Sequence, residues 1–242
     1  QQGVQVMIVT GRHHTATHAY WHQLGLELPA ICCNGTYLYD FRHRRPLAGN
    51  PLTRQEAAEL LAIFRRHPVH AMVYVADAMV CEKDSPHLDG LRRWSASLPE
   101  TIRPRLEFVD SFERLIEETE TIWKFLAACE EIQALEAFES AVGAHSAFSC
   151  VRSASNRVDI ARGGNTKGQR LQEYIAQLGI LPEEVIAFGD QNNDKEMLEL
   201  AGLGVAMGNS REEIRDCADW VTGTNDSDGI ADVLHRFVLT AA

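Results

Sequence analysis

Carboxylates and carboxamides are concentrated in one short segment, Gly189-Asp190-Gln191-Asn192-Asn193-Asp194. It follows the apolar run Val185-Ile186-Ala187-Phe188, which is typical of a buried parallel strand, and precedes a predicted helix at Lys195. In open α/β sheets, ligands bind at the carboxyl ends of the strands. Oxygen donors there suit Mg²⁺, which is usually held by one or two carboxylates and a substrate phosphate. The segment therefore predicts a magnesium and phosphate site, and the alternative is a polar loop whose Asn and Asp only form turns and caps.

A second candidate is Thr10-Gly11-Arg12, which ends the apolar run Val4 to Val9. The Thr10 hydroxyl and the backbone N–H groups that follow it could bind phosphate oxygens. A threonine at the end of a strand is more often structural, so both interpretations stay open. Asn34, with Gly35 beside it, ends the next predicted strand and could contact phosphate or simply form a turn.

Lys167 is the third candidate, because it lies in the first turn of a predicted helix. The helix macrodipole disfavours a cation at that position. A broken local rule is a mild indication of function, although a solvated surface lysine is the alternative. Asp190 and Asp194 lie within one turn of each other, and a divalent cation is the simplest reason for two like charges to be so close.

The predicted elements that position these residues fall into two styles. Strand Val4 to Val9, a helix over His13 to Gln23, strand Ala30 to Cys33 and a hairpin through Thr36 to Asp40 form a first βαβ-type half. Successive βα units return after Arg162 and predict a parallel sheet. The intervening stretch alternates strands and helices without a glycine-rich phosphate loop. We therefore expect an α/β fold, a Rossmann-like core with a parallel sheet (residues 1–47 and 162–242) plus an inserted α+β cap domain (residues 48–161).

The composition of the chain argues against some classes of partner and cellular location. The 242-residue chain has a formal net charge of −11, which argues against nucleic acid or an anionic membrane as the main partner. Six cysteines occur without a CxxC pair, as expected of reduced thiols in a cytoplasmic protein. No apolar run reaches the ~18 residues of a membrane span.

The order of these motifs is specific. Thr10-Gly11-Arg12, then an insert, then Lys167 after a Gly-rich lead-in, then Gly189-Asp190-x-x-Asn193-Asp194 resembles the haloacid dehalogenase superfamily of phosphohydrolases. The large insert before the lysine resembles the branch called the Cof type. Val158-Asp159-Ile160 and Gly204-Val205-Ala206-Met207-Gly208-Asn209 are similar to the same family. The resemblance covers nearly the whole chain and is strongest to bacterial pyridoxal phosphate and sugar phosphate phosphatases.

The resemblance implies a Mg²⁺-dependent phosphatase that forms a phospho-aspartyl intermediate on small phosphate esters. Thr10 would hold a phosphoryl oxygen, Lys167 would neutralise the nucleophile and the phosphate, and Asp190 would ligate Mg²⁺. We therefore expect three groups of site residues: catalytic Thr10, Lys167 and Asp190; substrate-binding Gly11, Arg12, Asn34, Gly35 and Asn193; and metal-binding Asp190, Asn193 and Asp194. The loops at Thr10, Lys167 and Asp190 should then converge on one phosphate. We expect a monomer or a weak homodimer.

One departure from the family pattern is large. The family's Asp-x-Asp-Gly-Thr motif, which carries the nucleophile, should lie well ahead of Val4, where only three residues precede it. Asp226-Ser227-Asp228-Gly229 imitates that motif, but it follows no apolar strand and fits a helix cap better. We expect the nucleophile upstream of Gln1, and the alternative is a phosphate-binding protein without turnover. Cap residues that could set specificity are Trp94, Trp123, Lys124 and His87, although aromatic residues at such spacings are more often core.

Overall fold

The structure is a computed structural model that describes residues 3–239. The chain divides into two compact units. The first unit contains Val6–Asn165, and the second contains the described residues of Gln1–Gln5 and Thr166–Ala242. The predicted boundary at 47/48 lies inside the first unit, and the division into residues 1–47, 48–161 and 162–242 stays a prediction.

The first unit contains nine strands and five α-helices, in the order α1 (His14–Gln23), β1 (Ala30–Cys32), β2 (Tyr37–Asp40), β3 (Arg45–Gly49), α2 (Arg54–Phe64), β4 (His70–Val75), β5 (Met79–Cys81), α3 (Asp89–Ala96), β6 (Leu106–Phe108), α4 (Phe112–Glu118), β7 (Ile122–Ala128), α5 (Ile132–Gly143), β8 (Phe148–Ala154) and β9 (Arg157–Arg162). Short 3₁₀ turns lie at Cys33–Gly35, Pro86–Leu88 and Glu100–Ile102. Strands β1 to β3 form an antiparallel three-stranded sheet. The other six strands form one sheet in the order β6-β5-β4-β7-β9-β8.

Strand β7 lies in the middle of the six-stranded sheet, and each of its residues is buried. Successive side chains of a strand point to opposite faces. Phe125 accordingly packs with α2 and α5 in one apolar cluster, while Leu126 packs with Tyr37 and Trp123 in another. This double burial explains why the strand reads as an almost continuous apolar run. Lys124 interrupts that run.

Two helices of this unit begin with hydroxyl caps. The Thr53 hydroxyl accepts a hydrogen bond from the Glu56 backbone N–H, and the Thr53 backbone N–H donates to the Glu56 carboxylate, so α2 begins with a capping box. The Ser111 hydroxyl caps α4 by accepting from the Arg114 backbone N–H. Strands β3 and β6 were not predicted, because they are only five and three residues long and give too short a pattern to indicate a strand.

The second unit contains three parallel strands and four α-helices, in the order α6 (Lys167–Leu178), β10 (Ile186–Gly189), α7 (Lys195–Leu200), β11 (Leu203–Ala206), α8 (Glu212–Asp216), β12 (Trp220–Val221) and α9 (Gly229–Leu234), followed by a π-helical turn at His235–Leu239. Further 3₁₀ turns lie at Pro182–Glu184 and Asn192–Asp194. The sheet order β10-β11-β12 is parallel throughout, which confirms the predicted parallel sheet. Thr166 caps α6, and Gly179 ends it in the left-handed conformation.

The predicted strand at Val4 to Val9 is wrong. Residues 4–8 have no regular secondary structure, and Val9 forms a single parallel bridge with Ile31. Val4 and Val6 are 55% and 54% exposed. An apolar strand of this kind needs hydrogen-bonded neighbours on both sides, and among residues 3–239 only β1 pairs with the segment, around Ile8 to Thr10.

Asp228 occupies the N-cap position of α9, but its side chain makes no capping hydrogen bond, so the predicted cap is only positional. Among residues 3–239, none of the helices combines the length and the apolar character that crossing a membrane requires. All six cysteines are free thiols.

Candidate active site

A buried ion pair lies at the start of α6 in the second unit. The Lys167 Nζ atom is 2.6 Å from Oδ1 of Asp194, and both side chains are almost fully buried. Lys167 takes this position because Thr166 caps the helix one residue earlier. The unfavourable position of a cation at a helix N-terminus is thus offset by a directed carboxylate.

The second oxygen of Asp194 holds the loop that follows β10. Oδ2 accepts hydrogen bonds from the backbone N–H groups of Asp190 (2.9 Å) and Gln191 (3.0 Å). This fold-back requires glycine at position 189, because a Cβ atom there would lie 2.4 Å from Cβ of Asp194. Asp194 therefore orients both Lys167 and the Asp190 loop.

The Asp190 carboxylate has weaker protein contacts. Its Oδ2 accepts long hydrogen bonds from Gln191 Nε2 (3.3 Å) and Asn209 Nδ2 (3.4 Å). Asp190 is half-buried at the carboxyl end of β10. Its position in the second unit agrees with the ligand-binding edge of a parallel sheet.

The donor atoms around Asp190 are carboxylate and amide oxygens, which suit a hard cation such as Mg²⁺. Within the described part of the chain, no group of three or more His, Cys, Asp or Glu residues could hold a metal ion. A dedicated protein cage is therefore absent there, whereas Mg²⁺ typically uses one or two carboxylates and completes its shell with water and substrate phosphate. Asp190 fits that role. Asp194 is engaged by Lys167 and two backbone amides, and its predicted role as a metal ligand stays a prediction, as does that of Asn193.

The Thr10 loop lies in the first unit and is anchored through its carbonyl groups. Thr10 O accepts from the Asn34 backbone N–H (3.0 Å), and Arg12 O accepts from the Cys33 N–H (3.0 Å). The Arg12 N–H donates to Oγ1 of Thr10 at 3.1 Å. The Arg12 guanidinium lies over the rings of Tyr20 and Trp94, 5.4 Å from each centroid.

Asn34 adopts the left-handed conformation, with φ of +58°, inside the 3₁₀ turn that ends at Gly35. Its side chain lies so close to Gly11 that a Cβ atom on residue 11 would be 2.7 Å from Asn34 Oδ1. Asn34 Nδ2 donates to Oδ2 of Asp159 at 3.0 Å. The two loops are therefore one packed unit in which a larger residue at position 11 has no room.

Behind this loop lies a second buried ion pair. Lys124 Nζ is 2.7 Å from Oδ1 of Asp159, and the two residues are 1% and 5% exposed. Burial disfavours the ammonium, but Asp159, Tyr74 and Cys33 together outweigh that effect and raise the pKa of Lys124 above its ordinary value. Lys124 is therefore charged at physiological pH.

A cavity of about 400 Å³ lies beside α1 in the same unit. Its lining combines aromatic rings with three arginines, and includes Tyr39, Phe41, Arg44, Arg103, Arg105 and His14. Its volume falls within the range of small-ligand sites.

The structure thus groups the predicted site residues in two sets. Thr10, Gly11, Arg12, Asn34 and Gly35 lie together in the first unit, and Lys167, Asp190, Asn193 and Asp194 lie together in the second. Their convergence on one phosphate stays a prediction.

Of the proposed cap residues, Trp123 is core and stacks on Tyr37 (ring centroids 4.1 Å apart), Trp94 stacks on Tyr20, and the His87 Nδ1 atom is 3.3 Å from an oxygen of Glu130. Asp159 and Asn209 lie in segments that resemble the family but were not predicted as site residues, although the lone lysine in the apolar run of β7 was a signal for the first.

Comparison with known proteins identifies the class. Residues 1–234 match the family model of haloacid dehalogenase-like hydrolases. The chain is 39% identical to the pyridoxal phosphate phosphatase YbhA of Escherichia coli (strain K12) over 239 residues, which covers 99% of this chain and 88% of that protein. It is 30% identical to the phosphatase YwpJ of Bacillus subtilis (strain 168), covering 98% and 89% of the two chains. A solved haloacid dehalogenase-like hydrolase from B. subtilis has a TM-score of 0.84 and 28% identity, covering 98% of this chain and 88% of the other.

The fold is thus that of a haloacid dehalogenase-like hydrolase, with a Rossmann-like core, as the motif order predicted. The chain belongs to this family, and it is a phosphatase, a hydrolase of phosphoric monoesters.

Proposed function

We propose that this phosphatase is Mg²⁺-dependent and acts on small phosphorylated metabolites, such as pyridoxal phosphate or sugar phosphates, through a phospho-aspartyl intermediate. The observation that carries the proposal is the buried Lys167–Asp194 pair beside the half-buried Asp190 carboxylate at the end of β10. The 39% identity to a pyridoxal phosphate phosphatase supports the substrate class.

The residues of this chain have separate parts in that chemistry. The Lys167 ammonium, fixed by Asp194, would neutralise charge on the nucleophile and the phosphoryl group. The Thr10 hydroxyl and the Gly11 backbone would bind phosphoryl oxygens. Asp190 would hold Mg²⁺, with Asn193 supporting that shell; the bound ion would supply charge neutralisation for the transferring phosphoryl group.

Substrate size agrees with the cavity beside α1. Its volume of about 400 Å³ suits the organic part of a small ester, and its lining carries three arginines against two carboxylates, Asp77 and Glu100, a balance that favours anionic groups.

The test is phosphate release by the natural full-length protein from a panel containing pyridoxal phosphate and several sugar phosphates. We expect activity that EDTA abolishes and added Mg²⁺ restores. Asp190→Asn should lower kcat/KM by at least about 100-fold, the size of effect seen when one preorganised charge-stabilising group is lost. Asp228→Asn, in the imitation motif, is the matched control and should retain activity.

Several results would contradict the proposal. Full turnover in EDTA would contradict the dependence on Mg²⁺. Full activity of Asp190→Asn would contradict metal binding by that carboxylate. Loss of activity in Asp228→Asn alone would indicate that the catalytic aspartates belong to Asp226-Ser227-Asp228-Gly229. Calorimetric binding of inorganic phosphate without turnover of any ester would favour the binding protein without catalysis.

A further inference from the structure

The ion pair of Lys124 and Asp159 has no part in the proposed function as stated above, yet it places two charges inside an apolar sheet. Lys124 lies on β7 and Asp159 on β9, which pair antiparallel with Leu126 opposite Asp159. Both residues therefore lie on the face of the sheet that Leu126 occupies. Removing two charges from water is costly, and apolar residues of similar volume are often at least as stable there. Such a pair needs a reason other than stability.

The contacts of the ammonium give that reason. Lys124 Nζ donates to the carbonyl oxygen of Gly11 at 2.8 Å, in addition to its ion pair with Asp159. The two atoms belong to residues 113 positions apart in the chain. Lys124 therefore connects the six-stranded sheet directly to the Thr10 loop.

The Gly11 carbonyl belongs to the same peptide group as the Arg12 N–H. In a trans peptide these two groups point in opposite directions. With the carbonyl held by Lys124, the N–H points towards Thr10 and donates to Oγ1 at 3.1 Å. The orientation of one peptide plane thus links the Lys124 ammonium to the Thr10 hydroxyl.

The direction of this hydrogen bond matters for chemistry. A threonine hydroxyl has one proton to donate and two lone pairs that accept. Because Oγ1 of Thr10 already accepts from Arg12, its own proton is left for another acceptor, such as a phosphoryl oxygen. The hydrogen bond from Lys124 to Gly11, called the clamp below, therefore leaves the Thr10 hydroxyl as a donor.

Asp159 extends the clamp to the neighbouring loop. Its Oδ1 faces Lys124, and its Oδ2 accepts from Asn34 Nδ2 at 3.0 Å. The Asn34 backbone N–H in turn donates to Thr10 O. One carboxylate thereby orients both the ammonium that holds Gly11 and the residue that holds Thr10.

We infer that Lys124 and Asp159 are positioning residues that fix the Gly11–Arg12 peptide so that the Thr10 hydroxyl donates to the transferring phosphoryl group. The inference rests on the proposed function and deepens it, since it assigns a pair in the sheet to the phosphate-binding loop. Neither residue touches the reacting atoms in this assignment, and both act through Thr10.

The test uses Lys124→Met/Asp159→Asn in the natural full-length protein. This double variant leaves no buried charge unpaired and keeps an amide oxygen for Asn34, so it removes mainly the clamp on Gly11. We expect kcat to fall roughly 10- to 100-fold, with a smaller change in KM, because a misplacement of about 1 Å can cost on the order of 100-fold.

Two comparisons separate positioning from a general structural effect. Arg152→Met/Glu139→Gln removes another ion pair, between β8 and α5, and is the matched control; its kcat should stay close to that of the parent. Thr10→Val should lower kcat by itself, and adding Lys124→Met/Asp159→Asn to it should cause little further loss, because the pair acts through the missing hydroxyl.

A readout that needs no activity is hydrogen exchange at the Arg12 amide. Released from Thr10, this amide should exchange at least about ten times faster in Lys124→Met/Asp159→Asn, whereas the control pair should leave it unchanged. If the double variant does not fold, Lys124→Met/Asp159→Leu takes its place, since apolar pairs replace buried ion pairs well.

The inference is overturned if hydrogen exchange at the Arg12 amide is unchanged in Lys124→Met/Asp159→Asn. It is also overturned if the losses of kcat from this double variant and from Thr10→Val are additive. Both outcomes count even when the parent enzyme is active. A parent protein without phosphatase activity overturns the proposed function instead, and the exchange measurement still decides whether the pair positions the loop.

Discussion

Replacing Asp194 by alanine tests how much the second unit depends on its buried ion pair. Lys167 and Asp194 are 6% and 4% exposed, so Asp194→Ala leaves an ammonium buried without its carboxylate. Breaking a buried pair in this way costs about 3–5 kcal/mol. The substitution also removes the acceptor for the backbone N–H groups of Asp190 and Gln191. We therefore expect a loss of unfolding free energy at the upper end of that range.

The measurement is urea unfolding at pH 7, followed by tryptophan fluorescence. Glu199→Ala is the matched control, because it breaks an exposed pair with Lys195 at 3.8 Å on the adjacent helix α7. Exposed pairs of this kind contribute roughly 0–1 kcal/mol. Lys167→Met/Asp194→Asn removes both charges and should recover at least half of the loss caused by Asp194→Ala.

A loss below about 1 kcal/mol in Asp194→Ala would refute the reasoning, because that is the size expected of a surface pair. Failure of Lys167→Met/Asp194→Asn to recover stability would also refute it, since the unpaired ammonium would then not be the cause.

Two further predictions concern stability. Burial lowers the pKa of His13 to about 3 and, together with the neighbouring His13, lowers that of His14 to about 2. Above pH 6.5 both histidines are mostly neutral in the folded and in the unfolded chain. Between pH 6.5 and pH 5 only the unfolded chain binds protons at these two positions. The free energy of unfolding should therefore fall by about 2 kcal/mol per histidine between pH 7 and pH 5. Urea unfolding of His14→Gln should show a correspondingly smaller fall, and an unchanged fall would contradict this. Gly189→Ala should lose about 1–3 kcal/mol by overpacking against Asp194, whereas Gly90→Ala, with open space around it, should gain about 0.4–1 kcal/mol; equal effects would contradict the close approach.

The sequence by itself determined those features whose signals lie within a few residues of one another. Helix α6 begins at Lys167, which the sequence places in the first turn of a helix; Thr166 caps it and Gly179 ends it locally. The parallel sheet of the second unit was predicted for the same reason, as short apolar runs alternate with helices. The motif order also predicted the family, because the Thr10, Lys167 and Asp190 segments are each short and local.

Tertiary structure decided which side chains meet when they are distant in the sequence. The apolar run at Val4 to Val9 predicted a strand, but burial on both faces depends on neighbours that a local pattern does not specify. Lys167 meets Asp194 across 27 residues, and Lys124 meets Asp159 only because β7 and β9 pair in one register. A shift of β9 by one residue would turn Asp159 to the face of the sheet opposite Lys124. The contact of Lys124 with Gly11 therefore appears only once the chain is folded.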